Sequence, residues 1–257
     1  MTSGPAGVTR LTHGTTALIE LGDGSRLNAL GRADWRALDV MVAAASADPD
    51  VAAVVIAGSG TTFSAGSDLN EWSGSSLEEV ERTFDVMEAC FQTIEGAPVP
   101  VLAAVEGVAA GAGCQLALAC DLVVMSQAAR LGMPVARLGI LASRAFAARV
   151  SRRCGTAMAA DLYLTGRLLT ADESLRAGLV TRLVPPELAR AEAIALAEVI
   201  SSTPSTALRA AKDALSRVSP TREVGRRETT GPVAAPRVSY GEFRWAVDAF
   251  FANRLPS

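Results

Sequence analysis

A chain of 257 residues that is 49% hydrophobic can bury one sizeable core, or one core with an appendage. Its net charge of −3 and 5% aromatic content supply neither a basic footprint nor stacking platforms, so no nucleic-acid partner is expected. No apolar run reaches the roughly 20 residues of a membrane span, and Met1 to Arg10 lack the charged-then-apolar pattern of a secretory signal, so no membrane span and a cytoplasmic location are expected.

Val8 to Leu21 alternates apolar and β-branched residues around His13-Gly14, which predicts a pair of strands. Gly22 to Ser25 is a turn, and Trp35, Leu38, Met41 and Val42 put helical spacing into Arg32 to Ala45. Val51 to Ala57 is a continuous apolar run, as expected of a strand buried on both faces. A Gly-containing loop from Phe63 to Trp72 follows it. Ser76 with Glu79 forms a capping box for a helix to about Glu95. Pro98 to Val105 is a second buried strand, Gly111 to Cys120 an apolar helix and Asp121 to Ser126 a third strand. The alternation makes the class α/β. After Pro185-Pro186 the chain turns helical over Glu187 to Ile200, Ser205 to Val218 and Phe243 to Asn253, with a loop-like stretch from Ser219 to Ser239. An α/β core over 1–185 with a helical region over 186–257 is the expected organisation.

The cysteines are Cys90, Cys114, Cys120 and Cys154; none forms a CxxC pair, and all lie in apolar surroundings, as buried free thiols do in a reducing compartment. The single histidine, His13, lies near the flexible end, which argues against Ser-His-Asp and Cys-His machinery and against a His-rich metal site.

Two loops carry chemistry. Phe63 to Leu69 (FSAGSDL) follows one buried strand, and Gly107 to Gln115 (GVAAGAGCQ) follows the next. Small residues there allow a ligand to approach the backbone. The second loop opens into a helix, so its N–H groups lie unpaired at the positive end of the dipole, where a polarised carbonyl or oxyanion fits. Tight strand-to-helix packing would require the same small residues.

FSAGSDL resembles the F-[SC]-A-G-x-D-L loop of the crotonase, or enoyl-CoA hydratase/isomerase, family. Arg26 to Leu30 is similar to that family's LNAL segment, and AAGAGCQLALACDL to its GGGxELAxxCDL segment. Gly132-Met133-Pro134 matches its FGxPE region. Leu164 to Arg167, Ala171 to Ser174 and Gly178 to Val180 resemble its TGR…AxEA…GLV stretch, with a weaker echo in Ala249-Phe250 and Arg254.

The resemblance implies a crotonase-type spiral of ββα units with a C-terminal helical region, assembled as a homotrimer or a dimer of trimers. It implies an acyl-CoA thioester as partner and no cofactor other than the coenzyme A of that substrate. The oxyanion amides would be those of Ser67 and Ala112. Leu27, Ala29, Ala65, Asp68 and Leu69 would cradle the nucleotide and pantetheine. Arg26 is a candidate for a phosphate contact or a surface arginine with no partner. Gly111, Val108, Pro134 and Leu138 would line the acyl side.

The chain departs from the pattern where hydratases of the family carry two glutamates: Gln115 occupies the first position and Val135 the second. An amide can orient a water but does not titrate, and valine does neither. Ordinary hydration is therefore expected to be weak or absent. Three readings remain: a replacement carboxylate among Asp68, Glu71 and Glu106; acyl-CoA binding without chemistry; or a reaction driven by the oxyanion amides with help from Ser67, Ser143 or Arg144. Ser143-Arg144 reads better as a helix N-terminus followed by a solvated or interface arginine.

Overall fold

The alternation at the N-terminal end folds as a hairpin. In this computed structural model, which describes residues 2–3, 7–218, 238 and 240–252, strand β1 (Thr2–Ser3) pairs antiparallel with β2 (Val8–His13), and β2 with β3 (Thr16–Leu21). Helix α1 (Arg32–Ala47) buries Trp35, Leu38, Val42 and Ala45 and leads to β4 (Ala53–Gly58), buried along its whole length. A single helical turn, α2 (Leu69–Trp72), precedes α3 (Leu77–Gly96). The capping box at α3 is formed as expected: Glu79 N donates to Ser76 Oγ at 3.3 Å, and Ser76 N donates to Glu79 Oε2 at 2.8 Å. Then come β5 (Val101–Val105), β6 (Val108–Ala110), α4 (Ala112–Ala119), β7 (Leu122–Ser126), β8 (Arg130–Gly132), α5 (Arg144–Thr165), β9 (Leu168–Thr170), α6 (Ala171–Arg176) and β10 (Arg182–Val184). Helices α7 (Ala189–Ser201), α8 (Ser205–Val218) and α9 (Tyr240–Phe251) complete the described chain.

The large sheet has the order β1-β2-β3-β4-β5-β7-β10 and is parallel from β3 onward. After each of its central strands the chain crosses to a second, narrower layer: Leu30 after β3, Ser64 to Ser67 after β4, β6 after β5 and β8 after β7. These segments pair laterally in the same succession, Leu30 with Ser67, Ser64 with Ala109 and β6 with β8, all parallel. Each turn of the chain thus lays one strand in each layer before its helix, which is the ββα spiral. Strand β9 closes the small layer antiparallel to β8.

Both faces of the large sheet are covered, which is why its strands are continuous apolar runs. Ile19, Val54, Ile56, Ala103 and Val123 share one buried cluster with Trp35 of α1 and Phe91 of α3, while Leu18, Val55, Leu102 and Val124 share another with Ala189, Ala193, Leu196 and Ala197 of α7. Two segments expected as loop are ordered: α2 within Phe63 to Trp72, and β6 within Gly107 to Gln115. Asp68 caps the first, and the second exists through long-range pairing with β8, which local composition does not encode. Of the stretch from 219 to 239, only Val238 is described, bridged to Ile140; Asn253 and Arg254 also lie outside the described residues. No described helix is long and apolar enough to cross a membrane.

Helix α8 is largely exposed, and Lys212 anchors it to the core. Lys212 Nζ donates to Asp121 Oδ2 at 2.6 Å and to Val99 O at 2.9 Å, and Asp121 Oδ2 also accepts from Val101 N at 2.7 Å. Replacing Lys212 with Met is expected to cost about 1–3 kcal/mol, as for loss of charge-assisted bonds to partly buried acceptors. Urea unfolding measures this, and limited proteolysis should cut α8 first.

Candidate functional site

The LNAL segment is held in a costly conformation. Arg26, Leu27 and Asn28 all adopt positive φ, at 46°, 53° and 52°. Asn28 is buried and fixes the turn: its Nδ2 donates to Ser59 O at 2.9 Å and Thr62 O at 2.7 Å, and its Oδ1 accepts from Gly24 N at 2.8 Å. Leu27 is 52% exposed, Ala29 is half-buried and Arg26 reaches solvent. Arg26 is not partnerless: Nη1 donates to Asp68 Oδ2 at 2.7 Å.

Three backbone bonds lock this segment to the FSAGSDL loop: Ala65 N to Leu27 O at 2.9 Å, Leu30 N to Gly66 O at 2.8 Å and Asp68 N to Leu30 O at 3.0 Å. Leu30 bonds the residues on either side of Ser67, so in this parallel bridge the N–H of Ser67 itself faces away from Leu30. Among the described residues no acceptor is found for it.

The second loop lies on the other side. Ser64 N donates to Val108 O at 3.0 Å, and Ala110 N donates to Ser64 O at 3.1 Å. Gly111 N donates to Gly132 O at 3.0 Å, but Ala112 N, at the first turn of α4, has no acceptor among the described residues. The loops touch through glycines. A Cβ on Gly66, whose φ is +101°, would sit 2.8 Å from Ala110 O and 3.0 Å from Ala112 N, and a Cβ on Gly113 would overlap the Ser64 carbonyl. The peptide ending in Ser67 N therefore lies against the start of α4.

Around this point Val108, Pro134 and Leu138 are half-buried, Gly111 is buried, and Leu69 packs against the core. Val135 is buried, with Cγ1 3.8 Å from where a Cβ on Gly111 would be. Two surface cavities, of 560 and 400 Å³, lie elsewhere: between α1 and α3, and beside the start of α8.

The carboxylates singled out in the sequence are engaged at helix N-termini. Asp68 Oδ1 accepts from Asn70 N at 3.0 Å and caps α2; Glu71 Oε2 accepts from Arg32 N at 2.7 Å at the start of α1; Glu106 Oε1 accepts from Ala189 N at 2.9 Å at the start of α7. Ser143 Oγ accepts from Phe146 N at 3.1 Å and caps α5, while Arg144 is exposed. Ser67 Oγ donates to Met87 Sδ at 3.1 Å. Cys90, Cys114 and Cys120 are buried, and burial pushes the Cys120 thiol up to about 12, which keeps it protonated.

Gln115 is also buried and engaged. Its Oε1 accepts from Arg149 Nη1 at 2.9 Å; its Nε2 donates to Tyr163 Oη at 2.9 Å and Phe146 O at 3.2 Å. Arg149 is 2% exposed and donates to Glu95 Oε1 at 2.7 Å and Glu88 Oε1 at 3.2 Å. Burial alone would depress its guanidinium; Glu95 and Glu88 reverse that and hold it above its ordinary value. This node joins α3, α4 and α5 behind the site. Sequence inspection did not find it, because Arg149, Glu88 and Glu95 sit in unremarkable helical positions.

The enoyl-CoA hydratase/isomerase family profile matches residues 12–253. The chain is 39% identical to a probable enoyl-CoA hydratase of Rhizobium meliloti over 80% of this chain and 79% of that one. It is 35% identical to the 2,3-dehydroadipyl-CoA hydratase of Escherichia coli over 77% of each. The crystal structure of an enoyl-CoA hydratase from Mycobacterium avium subsp. paratuberculosis superposes with a TM-score of 0.85 at 26% identity, covering 98% of each chain.

Gly113→Ala must push α4 away from Ser64. It is expected to destabilise the fold by about 1–3 kcal/mol, as overpacking does, while Gly96→Ala, where a Cβ meets open space, should not; urea titration compares them. Burial pushes the Glu95 carboxyl up, but Arg149 and Arg152 reverse this and hold it below the usual range. A depressed carboxyl contributes stability above its unfolded pKa and loses it as pH falls through the folded value. The advantage of wild type over Glu95→Gln should therefore be constant above about pH 5 and shrink below about pH 4. Unfolding midpoints measured across that range test this; a difference independent of pH would contradict it.

Proposed function

The chain belongs to the enoyl-CoA hydratase/isomerase family, which acts on acyl-CoA thioesters, and on that premise we propose that it binds an acyl-CoA with the thioester oxygen between the amides of Ser67 and Ala112. The observation that carries the reading is the pair of unengaged N–H groups on two loops in glycine-mediated contact. Two preorganised donors polarise a carbonyl, and each is worth roughly 3 kcal/mol where charge develops on that oxygen. Leu27 and Ala29 from the LNAL segment and Ala65, Asp68 and Leu69 from the adjoining loop form the wall along which pantetheine and nucleotide lie. Arg26, anchored by Asp68, keeps an exposed guanidinium for a phosphate. Gly111, Val108, Pro134, Val135 and Leu138 face the acyl carbons.

Hydration is weak or absent in this reading, because Gln115 and Val135 stand where two glutamates of the family pattern would. The nearby carboxylates support it: each already serves a helix end. A second reading, acyl-CoA binding or carriage without turnover, is favoured by the buried node that holds Gln115. In both, the core over 1–185 carries the site, the helices over 186–257 serve assembly as a trimer or dimer of trimers, and the protein works in the cytoplasm in acyl-CoA metabolism.

Calorimetry with butyryl-CoA and longer acyl-CoAs should show saturable binding. At free ligand near 100 Kd the protein should gain about 2.7 kcal/mol of stability. Crotonyl-CoA should lose its conjugated absorbance little faster than in buffer. Absence of both heat and thermal shift with every ester overturns the acyl-CoA reading; rapid loss of absorbance overturns the weak-hydration part alone.

A further inference from the structure

Oxygen-bearing side chains on the two site loops are committed to strong partners, with one exception. Ser64 Oγ donates to Asn28 O at 2.8 Å and accepts from Gly66 N at 3.1 Å. Both carboxylate oxygens of Asp68 hold donors, Oδ1 from Asn70 N and Oδ2 from Arg26 Nη1. Gln115 is fixed by Arg149 and Tyr163. Ser67 is the exception, because its Oγ gives its proton to a thioether, Met87 Sδ at 3.1 Å. A thioether sulfur is a weak acceptor, whereas a carbonyl oxygen offers two lone pairs. The Ser67 proton is thus the one on these loops that an incoming ligand oxygen can take at little cost.

The hydroxyl is also within reach of the proposed ligand. It belongs to the residue whose amide holds the thioester oxygen in that reading, so no other side chain stands between them. Covalent geometry keeps a serine Oγ within about 4 Å of its own backbone nitrogen in every staggered rotamer. An oxygen bonded to that N–H lies about 3 Å from the same nitrogen. Met87 is 0% exposed, yet Ser67 is only half-buried and the bond between them is partly buried, so the open side of the pair is the serine side. One χ1 step moves the hydroxyl from the sulfur to the ligand. The sulfur, held in the core under α3, cannot follow.

We propose that Ser67 contacts the substrate twice: on binding, its hydroxyl leaves Met87 and becomes a third donor to the thioester oxygen, beside the amides of Ser67 and Ala112. Met87 holds the proton only while the site is empty. This rests on the acyl-CoA reading and deepens it by adding a side-chain donor to the same site.

Calorimetric affinities for butyryl-CoA and for S-butyl-CoA, which lacks the carbonyl, isolate what that oxygen contributes. Wild type should prefer butyryl-CoA. Ser67→Ala keeps the amide and loses the hydroxyl, so the preference should fall about fivefold, the worth of one neutral hydrogen bond. Met87→Leu conserves volume and removes the sulfur; it should keep the wild-type preference or raise it, since the hydroxyl no longer has a competing acceptor. A merely structural serine–methionine bond predicts otherwise: either variant would weaken both compounds alike and leave the preference intact. An unchanged preference in Ser67→Ala, or a Met87→Leu preference as low as that of Ser67→Ala, overturns the inference while the wild-type preference keeps the two-amide reading. Equal wild-type affinities for the two compounds overturn the placement of the oxygen between the amides, and the inference with it. Failure of wild type to bind either compound overturns the acyl-CoA reading itself.

Discussion

Contact between two loops at a distance that only glycine permits is the constraint on which the site depends. Gly113 lets the first turn of α4 approach the Ser64 carbonyl, and Gly66, in a backbone region closed to other residues, lets the next loop meet Ala110 and Ala112. The same contact seats Ser64 beside Ala109 and so sets the lateral order of the small layer. Two amides become neighbours because strands adjacent in the large sheet deliver adjacent segments to the small one. The fold needs the approach, and the unengaged donors result from it.

The polar groups around that contact are committed elsewhere. Asp68, Glu71 and Glu106 each meet a helix N-terminus, where a carboxylate offsets unpaired N–H groups and the dipole. Arg149, removed from water, is matched by two carboxylates and the Gln115 carbonyl. Removing one member of such a group leaves a buried charge uncompensated, which is why the group acts as a unit. The two loops are left with unengaged backbone donors and the buried Val135 close to Gly111, while Asp68, Glu71, Glu106 and Arg149 are engaged.

Much of the fold was legible because its signals are local. The apolar runs of β4, β5 and β7, the capping box of α3 and the breaks at Pro185-Pro186 each report their own element. The FSAGSDL and AAGAGCQ segments marked both site loops, since close backbone approach restricts composition. Strand β6 was not legible: three residues pair only because β8 and Ser64 arrive from elsewhere. Nor was the Arg149 node, whose members are spread over three helices and are brought together by packing alone. The capping contacts of Glu71 and Glu106 were not legible for the same reason, since the N–H that each meets lies 39 or 83 residues away.

Strain in the LNAL segment bears on how the entrance to the site is built. Three consecutive non-glycine residues at positive φ cost about 1–2 kcal/mol each, and a turn of that kind persists only where its surroundings over-determine it. Here the surroundings are specific: a buried asparagine with bonds to Gly24, Ser59 and Thr62, a Ser64 hydroxyl donating to Asn28 O at 2.8 Å, and the Arg26–Asp68 pair. What the left-handed turn adds is placement, since it turns Leu27 and Arg26 outward while bringing Ala29 and Leu30 back against the AGSD loop. An apolar side chain left 52% exposed at the edge of a glycine-lined site is otherwise a loss. The expense is intelligible if that surface is covered when the proposed site is occupied.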